Sequence, residues 1–599
     1  MSKIRYSIEY GLPAVILGLS ITSARLQNTW LLYIMIGLIC AFAGLVAFDK
    51  VNKKVYPLAI FTIGLALLYQ TTLIGPGLVG ADIHGEYYFY FKALNGWDTS
   101  IPVSYNTPIG TTLIAPFLTN VFHIPGYWIY KAIFPLLFAF VPLLLYFVFR
   151  KEFGSKTAFL AALFFIIVPT WSMEMIGLPR QMLGELMLAL CLFLILVSKW
   201  RLKIRIPLLV AIGTLGAMFH YVMGPAILFY LGFGCLFLVF FKRRVFPVKW
   251  LSLVVVLLLI SSVAYYGSVA QGNALTAITG VSSGYITQVL PWVGETEVKK
   301  VEVEGKVEEP EATEKVEETK PATGFIANTS PLIRTAWGAD FMDVDIWGKA
   351  FRVFQYLTQL SIVVGFVYLI KERRRYSAEY LSLCGASILL LGACMFIPQF
   401  ASVINATRYY HIILFLLAPV FVLGGRAIFR KPQVLVLCLL IPYFLFTSGV
   451  IFEVSGQEDI SGVNIPYSIA LSNQRIDLTE IPTANDIAVR DWAVSQNLGH
   501  MLTDIHGRLL FIEKVFLDWE VEEPALQLKL ESNTFNQGDY IFLSERNNKT
   551  KTLTYKPDKS GTTSGMRISP SFAELGLDKV IENSIVIYRQ GDAVILEVK

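Results

Sequence analysis

Apolar runs of about 17–22 residues recur along the first 452 residues of the chain, with short polar loops between them. A helix of that length crosses the ~30 Å hydrocarbon core of a bilayer. Only 16% of the residues are charged, whereas a soluble domain has about 25%. The sequence therefore predicts a polytopic α-helical membrane protein, and the net charge of +5 does not indicate a nucleic-acid partner.

The runs predict thirteen spans. They cover about residues 8–24, 29–48, 55–74, 127–149, 157–174, 182–198, 206–220, 223–241, 250–268, 350–370, 378–397, 411–425 and 433–452. The seventh and eighth share one apolar run, which would overshoot a bilayer as a single helix. We divide it at residues 220–225, where Gly224-Pro225 favours a turn.

The basic residues are concentrated in alternate loops. These loops contain Lys50/Lys53/Lys54, Arg150/Lys151/Lys156, Lys199/Arg201/Lys203/Arg205, Lys242/Arg243/Arg244, Lys371/Arg373/Arg374/Arg375 and Arg426/Arg430/Lys431. Because Lys and Arg accumulate on the cytoplasmic side, the pattern predicts a cytoplasmic N-terminus in a multi-pass protein of the cytoplasmic (plasma) membrane. An acidic loop at 75–126 and everything after residue 452 would then be external.

The sequence divides into a transmembrane domain, 1–452, and a soluble extracytoplasmic α/β domain, 453–599. Within the first, 295–320 is an acidic low-complexity segment with too little apolar content to fold, so we expect external disorder there. In the second, Asn485–Gln496 predicts a helix, and 509–512, 540–543, 584–589 and 593–598 predict strands.

The six cysteines all lie inside apolar runs: Cys40, Cys191, Cys235, Cys384, Cys394 and Cys438. Their spacing is not that of a zinc site or a disulfide framework. They are interpreted as small core residues.

The segment Asp82-Ile-His84-Gly-Glu86 follows the third span directly. A carboxylate near hydrocarbon costs roughly 2.5–3.5 kcal/mol, so such clusters usually face a polar cavity or a ligand. If the segment begins a helix, Asp82 and Glu86 share one face. The alternative is a solvated loop that marks the membrane boundary. The aromatic-rich stretches 85–97 and 108–122 that follow predict helices lying in the membrane interface.

Other polar residues fall at the same predicted external depth. They are Glu174, Arg180, Glu185, His220, Arg408 and His411. Together with Asp82 they suit a phosphate-bearing lipid, a general base and a divalent cation. Taken singly, the arginines could be interfacial snorkellers, the histidines structural, and Glu185 an internal partner of Arg180.

The early acidic loop, the interfacial helices, the many spans and the external C-terminal domain together resemble the GT-C superfamily of membrane glycosyltransferases. More closely, the stretches beginning Asp82-Ile-His, Pro179-Arg-Gln and Arg408-Tyr-Tyr-His are similar to an archaeal family of membrane proteins with no assigned activity. The chain departs from the superfamily in two ways. Its acidic loop follows the third span rather than the first, and its second acidic motif is reduced to Glu174.

The resemblance implies a sugar donor linked to polyprenyl (dolichyl-type) phosphate and inverting transfer to a glycan, lipid or protein acceptor, within membrane lipids. Asp82 would be the general base with Glu86 beside it. Arg180, Arg408, His220 and His411 would hold the donor phosphate. A divalent cation, Mg or Mn, would bind Asp82, His84 and Glu174. The alternatives are a ligase that transfers a glycan from a lipid diphosphate and a transporter or flippase of the lipid-linked glycan. A transporter should show repeats and broken helices with midplane charges.

The alternating basic loops generate a topology prediction. Cysteines introduced at Ser330 and Ser560 should react with an impermeant thiol reagent in sealed cells, whereas one at Ser155 should not. Modification at Ser155 would invert the orientation and move the acidic loop to the cytoplasmic side. Glycans at the Asn328 and Asn548 sequons would support the external placement.

Overall fold

The structure, a computed structural model, describes most of the chain. The described residues are 2–99, 101, 104–241, 246–268, 338, 340–342, 344–397, 400, 405–428, 432–456, 468–472, 475–476, 481–498, 501–515, 535–554 and 569–599. The segment 295–320, for which the sequence predicts disorder, lies outside the described residues.

Helices form most of the described part. Before the long gap they are α1 Ser2–Leu26, α2 Thr29–Ala47, α3 Tyr56–Thr72, α4 Asp82–Ala93, α5 Ala115–Phe122, α6 Gly126–Trp128, α7 Phe134–Phe138, α8 Phe140–Phe153, α9 Ser155–Ile166, α10 Pro179–Leu196, α11 Leu202–Phe219, α12 Met223–Leu238 and α13 Val248–Ser268. After it they are α14 Ile346–Lys371, α15 Ala378–Phe396, α16 Ala406–Ile428, α17 Pro432–Thr447, α18 Val450–Val454, α19 Ala484–Ser495, α20 Ile505–Ile512, α21 Glu545–Thr550 and α22 Leu577–Glu582.

Eight helices in the described residues are long and apolar enough to cross a membrane. They are Thr29–Ala47, Gly126–Phe153, Pro179–Leu196, Leu202–Phe219, Val248–Ser268, Ile346–Lys371, Ala378–Phe396 and Ala406–Ile428. A ninth results if Ser155–Ile166 and Thr170–Gly177, which meet at a 50° bend, count together. The polytopic helical class is thereby confirmed, while the number thirteen stays a prediction. The predicted division of the seventh and eighth runs matches the break between α11 and α12.

Close packing in the membrane part depends on small residues. A Cβ at Gly365 of α14 would lie 1.9 Å from the Val420 carbonyl oxygen of α16, and one at Gly424 would lie 2.0 Å from the Ser361 carbonyl oxygen. Glycine at both positions therefore lets the two backbones touch, as membrane helices without a strong hydrophobic driving force often do. Helix α16 is buried along nearly its whole length as a result.

The two helices predicted at 85–97 and 108–122 are present as α4 and as the π-turn Gly110–Ile114 followed by α5, while their position in the membrane interface stays a prediction. A second π-turn, Ile129–Ile133, precedes α7. Each of these π-turns lies just before a proline, Pro116 or Pro135. Proline lacks an N–H and its ring clashes with the carbonyl four residues earlier, so a widened turn relieves the clash.

The C-terminal part contains a four-stranded sheet in the order β1-β2-β4-β3. The strands are β1 Met501–Leu502, β2 Tyr540–Leu543, β3 Ser584–Gln590 and β4 Ala593–Val598. Strand β1 is parallel to β2, and the other pairs are antiparallel. Alternate residues of β2 and β4 enter two apolar clusters, one on each face of the sheet. The three predicted strands at 540–543, 584–589 and 593–598 and the helix at 485–496 are confirmed.

The fourth predicted strand, 509–512, is wrong, because these residues belong to helix α20. Asp504 explains the difference, since its side chain accepts hydrogen bonds from the backbone N–H groups of His506 and Gly507 at 3.0 Å. Satisfying these otherwise unpaired donors starts a helix whatever the β propensity of the apolar residues that follow.

Candidate functional site

The acidic segment forms the first turns of α4, so Asp82 and Glu86 lie on the same side of the helix, as predicted. Their environments differ. The side chain of Glu86 is completely buried, whereas that of Asp82 is 34% exposed. One carboxylate is thus enclosed by protein, and the other remains open to a ligand.

The approach to α4 depends on Gly80. It has a φ of +121°, and a Cβ there would lie 2.6 Å from the Cα of Gly177. Glycine supplies both this backbone conformation and the space for the contact. The loop before α4 is therefore pressed against the turn that immediately precedes α10, and the first residues of the two helices meet.

Arg180, in the first turn of α10, binds both carboxylates of α4. Its backbone N–H donates to Glu86 Oε2 at 3.1 Å, and its Nε lies 3.3 Å from Glu86 Oε1. Its Nη2 donates to Asp82 Oδ2 at 3.4 Å. A peptide N–H at a helix start and a guanidinium are strong donors to a carboxylate. The predicted grouping of Asp82, Glu86 and Arg180 is what the structure contains.

Aromatic rings enclose the guanidinium of Arg180. The Tyr105 ring centroid lies 4.1 Å from its Cζ and the Tyr221 centroid 5.7 Å away. The side chain is only 4% exposed, yet its Nη1 has no hydrogen-bond partner among the described residues. A buried cationic donor without an acceptor is costly, and chemically it is suited to an anionic group.

Burial raises the pKa of Glu86 to about 8, although the nearby Arg180 charge lowers it in part. The Asp82 carboxylate adds to the rise by repulsion. Two neighbouring carboxylates with unequal burial share charge unequally. Near neutral pH Glu86 therefore favours its protonated form.

A second acid–base pair joins the bend after α9 to the start of α16. The Arg408 Nε lies 3.5 Å from Glu174 Oε2, and both side chains are about one-quarter exposed. Thr170 Oγ1 donates to the Thr407 carbonyl oxygen at 3.3 Å and so ties the same two elements together. His220 is buried within electrostatic reach of both Arg180 and Arg408. The structure thus brings His220 towards the two predicted arginines.

His411 lies elsewhere, in a closed part of the core. Its Nδ1 is 3.2 Å from Glu185 Oε2, both side chains are fully buried, and the imidazole stacks on Phe165 with 4.3 Å between ring centroids. Gln181 donates from Nε2 to Glu185 Oε1 at 3.0 Å. Glu185 is therefore a partner of His411 and Gln181 rather than of Arg180, and His411 is separated from the exposed carboxylate.

The three predicted metal ligands have separate partners. Asp82 contacts Arg180, Glu174 contacts Arg408, and His84 Nδ1 lies 2.8 Å from Glu513 Oε1. Within the part of the chain that the structure describes, no three His, Cys, Asp or Glu residues are grouped to hold a metal ion. The structure does not unite Asp82, His84 and Glu174, and the divalent cation stays a prediction.

Several residues around the site were not found from the sequence. Tyr105 and Tyr221 enclose Arg180, and Glu513, Arg490 and Tyr127 form a buried group next to His84. Glu513 is one of several acidic residues in the tail, 429 positions from His84 along the chain. The sequence around Glu513 carries no local signal for a site residue, because the role of Glu513 depends only on tertiary packing.

Residues 344–596 match the model of a protein family described as predicted membrane protein (DUF2206). The match is consistent with a multi-pass membrane protein of unassigned activity. It covers less than half of the chain and includes Arg408, His411 and Glu513, but not Asp82 or Arg180. No curated protein matches the chain.

The raised pKa of Glu86 predicts a pH-dependent stability. The folded protein holds this proton more tightly than the unfolded chain, whose carboxyl has a pKa near 4.5. The stability that Glu86 adds to the folded protein is therefore complete below pH 4.5 and is lost as the pH rises to about 8. Its slope is at most about 1.4 kcal/mol per pH unit. In detergent, the unfolding temperature of Glu86→Gln should fall less over this pH range than that of the parent protein.

Glu545→Gln is the control for this measurement. Burial raises the pKa of Glu545, but hydrogen bonds, first among them that from Asn485, outweigh it and lower the pKa. The stability that Glu545 adds is present above pH 4.5 and is lost as the pH falls. Glu545→Gln should therefore leave unchanged the loss of stability that the parent protein shows as the pH rises. If the unfolding temperature fell equally with rising pH in the parent protein and in Glu86→Gln, the raised pKa of Glu86 would be contradicted.

Proposed function

We propose that the protein is a GT-C-type glycosyltransferase that uses a polyprenyl-phosphate-linked sugar on the outer face of the cytoplasmic membrane. One observation carries this proposal. A partly exposed carboxylate, Asp82, lies against a buried arginine, Arg180, that retains an unpaired donor nitrogen. Sugar transfer from a phosphate needs a proton acceptor and a cation for the leaving phosphate, side by side.

Asp82 is the proton acceptor in this mechanism. An acceptor hydroxyl or amide attacks the anomeric carbon, the bond from that carbon to the phosphate oxygen breaks, and the configuration inverts. The proton of the attacking group passes to Asp82 Oδ, and the electron pair of the broken bond leaves on polyprenyl phosphate. Glu86 supports the base by staying protonated near neutral pH, because its burial raises its pKa to about 8.

Arg180 and Arg408 bind the donor phosphate. Arg180 offers Nη1, and Arg408 has a buried Nε that lacks a hydrogen-bond partner among the described residues despite its 3.5 Å approach to Glu174. A phosphate in reach of both would form charge-assisted hydrogen bonds and disperse the developing charge. His220 lies within electrostatic reach of both arginines, and in this proposal it orients the same group. His411, enclosed with Glu185, acts indirectly by fixing α16 against α10.

The transporter alternative has one supporting observation. Helix α9 and the turns Thr170–Gly177 form a helix broken by 50°, and Glu174 lies beyond the break. Transporters build substrate sites on such interrupted helices. A flippase would move dolichyl phosphate sugar across a vesicle bilayer without consuming it, so donor consumption separates the two functions.

Asp82→Asn keeps the shape of the side chain but cannot accept a proton. We expect it to insert normally and to reduce transfer by at least about 100-fold, the usual cost of losing a general base. The measurement is loss of label from dolichyl phosphate carrying tritiated glucose or mannose, in membranes containing the protein. Glu86→Gln should be milder, since Glu86 is already protonated.

Asp49→Asn provides the matched control, because Asp49 is also a partly exposed carboxylate, paired with Lys156 at the other predicted membrane face. It should leave transfer unchanged. Near-normal transfer by Asp82→Asn, or no donor consumption by the parent protein, would contradict the proposed reaction.

Arg408→Lys tests the phosphate contact. Lysine keeps the charge but loses the planar, bidentate donor pair, so donor affinity should fall by about tenfold while the fold is retained. Binding of dolichyl phosphate to the purified protein measures the effect. Arg426→Lys is the control, since Arg426 lies on the same helix at its other end and donates to Thr157. Equal dolichyl phosphate affinity in both variants would reduce Arg408 to an interfacial anchor.

A further inference from the structure

Residues 481–482 and 513–514 of the C-terminal part contact α4 and the loop that leads to it. A Cβ at Gly77 would lie 2.1 Å from Pro482 Cγ, and one at Gly75 would lie 2.6 Å from Ile481 Cγ2. At the end of α4, the Lys514 Nζ lies 3.8 Å from the centroid of the Phe91 ring. Between them, Glu513 pairs with His84 in the first turn of the helix.

Glu513 is the centre of a buried polar group. Its side chain is 0% exposed. Its Oε1 lies 2.8 Å from His84 Nδ1, and its Oε2 accepts hydrogen bonds from Tyr127 at 2.5 Å and Arg490 Nη1 at 2.7 Å. Burial raises the pKa of Glu513, but the hydrogen bond from His84 and the Arg490 charge outweigh it and lower that pKa. The carboxylate is therefore ionised and fully engaged.

His84 and the two carboxylates project from different sides of α4. Successive helical residues are about 100° apart, so His84 points roughly opposite to Asp82 and Glu86. Arg180 binds one side of the helix and Glu513 binds the other. Contacts on two opposite sides fix the rotation of a helix about its axis, whereas contacts on one side leave it free to roll.

The loop before α4 is fixed independently by Lys131. Its buried Nζ donates to the carbonyl oxygens of Ile74 at 3.0 Å, Gly75 at 2.6 Å and Gly77 at 2.6 Å. These are the residues on which Ile481 and Pro482 pack. The path of the chain into α4 is therefore set by the membrane part, and what the C-terminal part adds is the anchor at His84.

We propose that Glu513 is a positioning residue for the candidate site: by holding His84 it sets the rotation of α4, and hence the direction in which Asp82 faces. The C-terminal part is then a component of the site rather than an attached domain. The expected effect on sugar transfer rests on the proposed function, whereas the expected effect on the rotation of α4 does not.

The test compares His84→Leu with His84→Gln in the full chain. Leucine removes the bond to Glu513 and leaves a buried carboxylate one donor short, whereas glutamine can still donate to it. We expect hydrogen exchange of residues 82–93 to accelerate by about tenfold in His84→Leu and to stay near the parent rate in His84→Gln. Transfer from the tritiated dolichyl phosphate sugar should lose kcat with KM for the donor unchanged in His84→Leu, and recover in His84→Gln.

Glu453→Gln is the matched control, because it weakens another buried arginine ion pair of the C-terminal part, with Arg475, that includes no residue of α4. It should leave exchange of residues 82–93 at the parent rate. If His84→Leu does not fold, Tyr127→Phe removes a single hydrogen bond to Glu513 and should give a smaller rise in exchange.

Two results would overturn the inference. Unchanged exchange of residues 82–93 in His84→Leu, or in Tyr127→Phe where that variant replaces it, would show that Glu513 does not anchor α4. Accelerated exchange with unchanged kcat would show that the anchor has no positioning role. If the parent protein consumes no donor, the proposed function fails, and the exchange data alone decide whether Glu513 anchors the helix.

Discussion

The binding of two carboxylates by one buried arginine is the constraint on which the site depends. Arg180 brings a single positive charge to Asp82 and Glu86, and its surroundings exclude most of the water. Two ionised carboxylates would leave an uncompensated charge in a region of low polarity, which is costly. Retention of a proton on Glu86 resolves this. The contacts that press α4 against α10, such as that of Gly80 with Gly177, also bury Glu86. This burial raises the pKa of Glu86, although the hydrogen bond from the Arg180 N–H lowers it in part.

The sequence predicts the elements well where one local signal dominates. Apolar runs of bilayer length coincide with the long helices, and Gly224-Pro225 lies just after the break between α11 and α12. The error at 509–512 arose because an apolar run of four residues fits a strand or a helix equally. The Asp504 cap, which accepts hydrogen bonds from the first N–H groups of α20, decides in favour of the helix.

The site could be predicted only in part. Asp82, Glu86 and Arg180 are recognisable because charged residues stand out in an apolar sequence. His411 stands out in the same way, yet it faces Glu185 and Phe165. The sequence gives the depth of a residue along a helix, but it does not give the side that the residue faces when the whole helix is buried. Glu513 lies in a polar tail where an acidic residue is ordinary, so no sequence signal distinguishes it.

The pairing of charges also bears on what the site can bind. Glu174, Glu185 and Glu513 each lie beside a cation or a histidine, and Asp82 shares Arg180 with a Glu86 whose pKa is raised to about 8. In the proposed mechanism, an entering phosphate would add negative charge next to Arg180 and would disfavour ionisation of Glu86 further. In the proposed mechanism, a neutral Glu86 would let Arg180 bind an anion while it contacts Asp82. With both carboxylates ionised, the three side chains would carry a net negative charge and would repel the phosphate.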